Sequence, residues 1–333
     1  MKTINVRAMV EGAILASLTA MMGIFYNVPI VGVITMFWSV PIVIVGYRNG
    51  FRVSLIAAFI AAVLVSLVAT PIVGLILFIA YALPGATMGY MIRKKISPYR
   101  TLVVCGLIIS ITIVLEFVLS LELMMGIGII EILGNLKLTV ANFNSMLNKE
   151  IAEISGMYSR FGFDETAIKK IINDFNILIK QVILLLPASL IASGISLSYV
   201  NFKAVKFILG RAGYKIEDVK RFSAWRIDSR YKYIVLGITF VLLLIMSQQV
   251  QFLIGFNANA WMLMMLFYAV LGLSVTVYYI EQISEKYEIA KPVQSLMIVF
   301  VFLFMMRVLP YIGMFDIAAD IRRFSRNIPG GAK

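Results

Sequence analysis

Two charged residues lie deep inside apolar stretches of this sequence and are its first candidates for chemistry. Glu116 and Arg307 each stand about fifteen residues after the start of an apolar run, which is about 22 Å at the helical rise. Charges within lipid are costly, so such residues commonly serve ion pairs, proton relays or ligand sites. If both runs cross in the same direction, the two side chains lie at one depth. We therefore predict a Glu116–Arg307 ion pair or a shared polar network.

Aromatic and polar residues near the predicted outer ends of the runs extend this candidate site. A protein that binds a small molecule on its outer face should bring such groups together around a cavity. The predicted ligand-binding residues are Tyr26, Asn27, Trp38, Glu116 and Gln181, with Arg307 in the polar network. For Gln181, anchoring at the lipid–water interface is the alternative.

Small residues mark a helix face suited to close packing, and prolines mark two positions where a helix should kink. Gly12, Ala16 and Ala20 are spaced four apart, and such a face allows another helix to approach closely in lipid. We predict that this face contacts a partner helix. Pro84 and Pro187 interrupt apolar runs, and each should kink its helix unless neighbouring groups satisfy the freed carbonyl.

Several classes of active site are excluded by the residue inventory. The chain has no histidine and a single cysteine, Cys105. This removes the usual zinc sites, histidine acid–base catalysis, Cys/His nucleophile pairs and internal disulfides. The sequence also contains no phosphate-binding loop, no GxSxG motif and no metal-binding constellation. We predict no catalytic residues, no metal and no cofactor, and thus no enzyme.

The elements that position these residues are transmembrane helices. The chain is 61% apolar and only 14% charged, unlike a soluble domain. Apolar runs long enough to span a bilayer recur throughout, which predicts an all-α polytopic bundle of eight or nine spans. The runs are 8–25, 30–47, 51–69, 71–92, 101–123, 177–199, 233–250, 258–280 and 292–313.

The distribution of basic residues predicts a cytoplasmic N-terminus. Lysine and arginine cluster before the first run, in 93–100 and in 200–232, whereas 26–29 and 70–71 carry no charge. Cytoplasmic loops carry the basic excess, so the first six spans alternate correctly from the inside.

The C-terminal tail leaves the number of spans open. Nine spans would place Arg322, Arg323, Arg326 and Lys333 outside. Either this basic tail is an exception, or one of the last three runs does not cross. The weakest run is 233–250, which ends in serine and glutamine.

Two polar segments divide the chain further. Segment 124–176 is nearly neutral, with five basic and six acidic residues, and its Asp164-Glu165 start predicts an external amphipathic helix that leads into the sixth span. Segment 201–232 is basic and aromatic, which favours contact with anionic lipid over nucleic acid. The predicted organisation is a membrane domain at 1–200, a cytoplasmic linker at 201–232, C-terminal helices at 233–314 and a basic tail at 315–333.

The N-terminal part resembles a known family of membrane transporters. The features are Ala-Ser-Leu-Thr-Ala at 16–20, Pro29 in a short outer loop, the basic turn Tyr-Arg-Asn-Gly-Phe-Arg at 47–52, and Pro-Gly-Ala-Thr-Met-Gly-Tyr at 84–90. Residues 8–95 resemble the opening of the S components of energy-coupling-factor transporters, which have six helices. The resemblance implies that Ala16 and Ala20 contact a membrane coupling subunit and that substrate binds on the external side.

The complete chain resembles the YybS-type family of uncharacterised bacterial membrane proteins. The basic linker, Gly272 and the closing Gly-x-x-Asp…Asp-x-Arg pattern at 313–322 carry this similarity. The resemblance implies a multi-pass protein of the bacterial cytoplasmic membrane, without an established activity.

Two functions stay open from the sequence. The first is a component that binds or transports a small molecule together with a separate partner, since the chain has no ATPase motif. The second is a membrane scaffold without ligand or transport activity. Binding predicts a cavity at Tyr26, Asn27, Trp38, Glu116 and Gln181, and scaffolding predicts that side chains fill that region.

Overall fold

The computed structural model describes residues 6–24, 36–125, 145–146, 149, 153, 165–247 and 253–322. All regular secondary structure in these residues is helical, and no strand occurs in them. The predicted all-α class is confirmed.

Eleven α-helices are described. They are α1 (Val6–Ile24), α2 (Ser39–Asn49), α3 (Phe51–Val68), α4 (Pro71–Leu77), α5 (Leu83–Arg93), α6 (Pro98–Met125), α7 (Glu165–Arg211), α8 (Lys232–Ser247), α9 (Ile254–Lys286), α10 (Lys291–Met305) and α11 (Leu309–Ala319). A π-helical turn, Phe78–Ala82, joins α4 to α5, and a 3₁₀ turn, Phe222–Ala224, precedes α8.

The chain divides into two compact units, which are described separately below. The first unit comprises Met1–Ile183 and Ser193–Asp218, and the second comprises Leu184–Ala192 and Val219–Lys333. Helix α7 begins at Glu165 and continues to Arg211, so the predicted helix does run on into the sixth apolar run.

The number of complete spans is lower than predicted among the described residues. Five helices are long and apolar enough to cross a membrane: Phe51–Val68, Pro71–Arg93, Pro98–Ser120, Asn173–Arg211 and Ile254–Lys286. A sixth would be the pair α10 and α11, which is bent by 102°. The remaining predicted runs form shorter helices or extend beyond the described residues, so the count of eight or nine is not confirmed.

Glycines bring two helices of the first unit into close contact. A Cβ atom added to Gly89 of α5 would lie 2.5 Å from the carbonyl oxygen of Val43 and 2.9 Å from the Cα of Gly46, both in α2. Only hydrogen atoms fit at this crossing, as is common for helices that pack in lipid. A core cluster of this unit lies between α1, α2, α3, α4 and the π-helical turn.

The second unit contains a helix crossing of the same kind and a sharp bend. A Cβ atom on Gly272 of α9 would lie 1.9 Å from the Leu309 oxygen, and one on Gly313 of α11 would lie 2.0 Å from the Tyr268 oxygen. The bend between α10 and α11 falls just before Pro310, which lies in the first turn of α11. Proline lacks the amide hydrogen and its ring obstructs the preceding turn, so a straight helix through this position is disfavoured.

A bend divides the last apolar run. Residues 292–313 were expected to form one straight span, and the weak run was expected at 233–250. Instead, α11 turns back and its end reaches the basic linker: Arg322 donates hydrogen bonds to the carbonyls of Ser223 and Trp225. The start of the tail and the linker therefore lie on the same side. The membrane side of the basic tail, and the choice between eight and nine spans, stay predictions.

Candidate functional site

Trp38 lies in the core of the first unit. Its side chain is fully buried and its ring centroid lies 5.5 Å from that of Tyr81. The indole N–H has no hydrogen-bond partner among the described residues. Tyr26 and Asn27, which the sequence placed beside it, lie outside the described residues. The predicted cavity at Tyr26, Asn27 and Trp38 therefore stays a prediction.

The small-residue face of α1 packs within the chain. Ala16 and Ala20 are 2% and 4% exposed and join the core cluster that includes Trp38. A Cβ atom on Gly12 would lie 3.9 Å from Val53 of α3. The partner helix of this face belongs to the same chain, whereas the transporter resemblance implied a contact with another protein.

The remaining predicted site residues lie on several elements. Glu116 is half-buried on α6 of the first unit, and Gln181 is exposed on α7. Arg307 is exposed in the bend between α10 and α11 of the second unit. The Glu116–Arg307 pair stays a prediction.

A side chain from a neighbouring helix compensates for Pro84. In a regular helix, the carbonyl of Ala80 would accept the amide hydrogen of residue 84, which proline lacks. The Thr112 hydroxyl on α6 lies 3.1 Å from that carbonyl and 3.0 Å from its own helix's Ile109 carbonyl, and it shares one proton between them. The prediction that neighbouring groups can satisfy the freed carbonyl is confirmed here.

A second neighbouring side chain is inserted beside Pro187. The amide hydrogen of Ala188 and the carbonyl of Leu184 would be paired in a regular helix. Instead, Ala188 donates to Oδ1 of Asn259 at 2.8 Å, and Nδ2 of Asn259 donates to Leu184 at 2.7 Å. The amide of Asn259 therefore bridges the opened turn, a role that sequence reasoning missed.

The second unit also contains a buried ion pair. Arg322 and Asp316 are 5% and 8% exposed. The Nε and Nη2 atoms of Arg322 donate to Oδ2 of Asp316 at 3.2 and 2.9 Å. Nη1 donates to the Ser223 carbonyl at 2.7 Å and to the Ser274 hydroxyl at 3.3 Å, and Nη2 to the Trp225 carbonyl at 2.7 Å.

This cluster fastens three parts of the second unit to one another. It joins the turn at 222–225, helix α9 through Ser274, and the end of α11 through Asp316. The guanidinium satisfies carbonyls that no helix pairs, which fits a structural role. Its only sequence signal was the closing Asp…Arg pattern at 316–322.

A basic cavity is the described feature of the first unit that is suited to binding. It encloses about 200 Å³. Its charged lining residues are Arg93, Lys95, Lys215 and Glu217, and its aromatic lining residues are Tyr47 and Phe202. Ile92, Ile96, Pro98 and Ile216 complete the wall.

Backbone hydrogen bonds define the turn between α5 and α6, which carries the cavity residue Lys95. Lys95 adopts a left-handed conformation with φ of 56°, and its amide donates to the Ile92 carbonyl at 3.0 Å. The amide of Ile96 donates to Met91 at the same distance, which closes the end of α5. Pro98 then begins α6. The turn is thus defined by backbone hydrogen bonds on both sides of Lys95.

An ion-pair cluster fixes the linker segment that supplies Lys215. Asp218 accepts a hydrogen bond from Lys203 of α7 at 2.8 Å and a second from Lys206. Partial burial acts to raise the pKa of Asp218, but the hydrogen bonds and charges of these lysines outweigh it and hold the pKa below its usual value.

The other wall of the cavity is tied to α1 and α2. The rings of Tyr47 and Tyr214 meet edge to face at 5.4 Å, and the Arg48 guanidinium lies 5.7 Å from the Tyr214 ring centre. Arg48 also forms an ion pair with Glu11 of α1. The sequence predicted the basic segments 93–100 and 200–232 on one side of the membrane, but not that they share a cavity.

The described residues do not form a metal site, since no three His, Cys, Asp or Glu side chains come together in them. The sequence from residue 14 to residue 317 matches the family described as "Predicted membrane protein (DUF2232)". No curated protein and no solved structure matches the chain. The match does not name S components or YybS-type proteins, so both resemblances stay predictions.

Proposed function

We propose a function for a chain that belongs to the DUF2232 family of membrane proteins: it is a ligand-binding component of a bacterial cytoplasmic membrane and not an enzyme. The ligand enters the basic cavity of the first unit. The observation that carries this proposal is an ordered cavity in which charged and aromatic side chains from α2, α5, α7 and the linker converge.

The chemistry of the lining favours binding over catalysis. The cavity presents cations, one carboxylate and two aromatic rings, but no nucleophile paired with a base. Its volume of about 200 Å³ is below the roughly 300–1,000 Å³ of sites for drug-sized ligands. A small molecule, or the head group of a larger one, fits this space.

The basic loops around the cavity support its location on the cytoplasmic side of the membrane. Positive residues favour the cytoplasm, so the α5–α6 turn and the linker, and the cavity between them, are cytoplasmic. A role in transport would need a separate energised partner, because the chain has no phosphate-binding loop. The ligand site proposed here differs from the external site that the S-component resemblance implies.

Native mass spectrometry of the full-length protein in mild detergent tests this function. Wild-type protein from native membranes should retain a small molecule. Ile216→Trp, which adds bulk to the cavity wall, should lose it. Ile60→Trp, on an exposed face of α3, should keep it. Co-purifying proteins are identified from the same sample.

Two results would contradict the proposal. One is protein that retains no small molecule; the other is a retained molecule that both variants keep. Recovery of membrane proteins in stoichiometric amounts without any ligand would instead support the scaffold function.

A further inference from the structure

We infer that the basic cavity of the first unit binds a phosphate group. This inference rests on the proposed function, since it names the chemical class of ligand for the same cavity. The phosphate can belong to the head group of an anionic lipid or to a soluble phosphate compound, because both present the same oxygen atoms.

The charge in the cavity fits a phosphate. Arg93, Lys95 and Lys215 contribute three positive charges and Glu217 one negative charge, which leaves 3 − 1 = +2. A phosphate monoester carries nearly two negative charges at neutral pH, and a phosphodiester carries one. Arginine in particular can hold two phosphate oxygens at once.

The three cations are available to a ligand. None of them forms an ion pair with a residue that the structure describes, although the neighbouring lysines 203 and 206 are both paired with Asp218. Lys203 and Lys206 thus share one carboxylate, whereas the three cations of the cavity have no carboxylate partner among the described residues. An external anion would supply the missing charge.

A glycine makes room for the guanidinium group. Gly50, between α2 and α3, has φ of +97°, and a Cβ atom there would lie 2.9 Å from Nη1 of Arg93. Any larger residue would be strained and would displace the arginine side chain. The backbone at Gly50 therefore supports the position of Arg93 at the cavity.

The cavity has one apolar side and one open side. Phe202 is 1% exposed and Pro98 is buried, so one side of the cavity is shielded from water. The charged lining residues Arg93, Lys95, Lys215 and Glu217 are exposed at the open side of the cavity, where a ligand in solution can reach them. The hydroxyl of Tyr47 adds a hydrogen-bond donor to the lining.

Binding of defined probes to the full-length protein tests this inference. The soluble probes are inorganic phosphate and glycerol 3-phosphate, measured by isothermal calorimetry in an uncharged detergent. The lipid probe is phosphatidylglycerol in mixed micelles, compared with phosphatidylcholine by native mass spectrometry. Saturation by a soluble probe identifies free phosphate as the source, and preference for phosphatidylglycerol identifies the lipid.

Single substitutions link the binding to the cavity. Arg93→Gln and Lys215→Gln should each weaken binding of the effective probe by about tenfold or more, since each removes a charge-assisted hydrogen bond. Lys94→Gln is the matched control: it removes the same charge from the same turn, but Lys94 lies over the Tyr90 ring and does not line the cavity. Circular dichroism and size exclusion confirm that each variant is folded.

The possible failures are distinguishable. If neither phosphate nor phosphatidylglycerol binds, but an uncharged molecule is retained and lost in Ile216→Trp, the phosphate inference is wrong and the proposed function stands. Equal weakening in Lys94→Gln would also overturn the inference, because a diffuse surface effect would then account for binding. If no molecule is retained and no probe binds, both proposals fail.

Discussion

Individual charged residues have separate roles in the two units. In the second unit, Arg322 is buried and bonds to Asp316 and to the carbonyls of Ser223 and Trp225, so it stabilises the fold. In the first unit, Arg93 and Lys215 line a cavity without a carboxylate partner among the described residues. A structural cation is thus distinguished from a candidate binding cation by its burial and by its protein partners, and not by its residue type.

Asp316→Asn should strongly destabilise the second unit. The substitution preserves the shape of the side chain but leaves the buried Arg322 charge without its counter-ion, which typically costs about 3–5 kcal/mol. Thermal or denaturant unfolding of the detergent-solubilised protein measures this. Asp228→Asn, which affects an exposed pair with Arg230, should leave the unfolding midpoint unchanged. A double Asp316→Leu, Arg322→Met variant that is no more stable than the single variant would argue against the pair.

The ion pairs of Asp218 predict that the stability of the fold decreases at low pH. Its pKa is lowered from 3.8 in the folded protein, so its interactions with Lys203 and Lys206 stabilise the fold above about pH 3.8. This contribution is lost as the pH falls through the lowered pKa. At pH 7, Asp218→Asn should increase hydrogen exchange of residues 214–217, and its unfolding midpoint should fall less than that of the wild type between pH 7 and pH 3. An equal fall in both proteins would show that other carboxylates dominate.

At the level of elements, helix breaks and helix crossings are supported by side chains from distant segments. Thr112 replaces the hydrogen bond lost at Pro84, and Asn259 bridges the turn opened at Pro187. Both residues are distant in sequence from the proline that they compensate. Breaks in membrane helices persist where neighbouring groups satisfy the freed backbone. Two glycine crossings, α2 with α5 and α9 with α11, hold the helices of each unit at close range.

Asn259→Leu should destabilise the protein by about 1–3 kcal/mol, because it leaves the Ala188 amide and the Leu184 carbonyl without their partner. The loss should be smaller when Pro187→Ala is also present, since a regular turn can then pair Ala188 with Leu184 directly. A double-mutant cycle of unfolding free energies measures this coupling. Additive effects of the two substitutions would contradict the bridging role of Asn259.

Gly272→Ala should separate α9 from α11. The added methyl group would overlap the Leu309 carbonyl, and such overpacking typically costs about 1–3 kcal/mol or more. Gly237→Ala in α8 is the matched control, because nothing lies within 4 Å of its Cβ position. That change should be neutral or stabilising, since alanine favours helix more than glycine. Comparable unfolding midpoints for the two variants would contradict the close contact between α9 and α11.

At the scale of the whole molecule, the chain is a multi-pass membrane protein of two compact units. The bent pair α10 and α11 brings the start of the basic tail to the linker, as the Arg322 contacts show. With basic segments favouring the cytoplasm, this geometry predicts that the linker, the α5–α6 turn and the tail are all cytoplasmic.

Cysteine accessibility in whole cells tests this topology. Cys105 is buried and is the sole cysteine, so Cys105→Ser provides a cysteine-free background. Lys94→Cys, Arg226→Cys and Arg326→Cys should react with a membrane-impermeant maleimide only after permeabilisation. Lys149→Cys, in the segment predicted outside, should react in intact cells. Labelling of Arg326→Cys from outside would restore the model of nine straight spans.

The sequence by itself determined the class of protein and much of its helical content. Its composition and long apolar runs predict membrane helices, and the Asp164-Glu165 start anticipates α7 at Glu165. These properties depend on neighbouring residues, because helix formation and partition into lipid are governed by local composition and periodicity.

Only the tertiary structure decided which distant residues meet. It places Arg93 and Lys215 at one cavity, and it joins Asn259 to the turn at Pro187 and Arg322 to Asp316 and the linker. It also bends the last apolar run between α10 and α11. Such pairings depend on how helices pack against one another, and a repeating pattern of apolar residues carries almost no information about which helix becomes the neighbour.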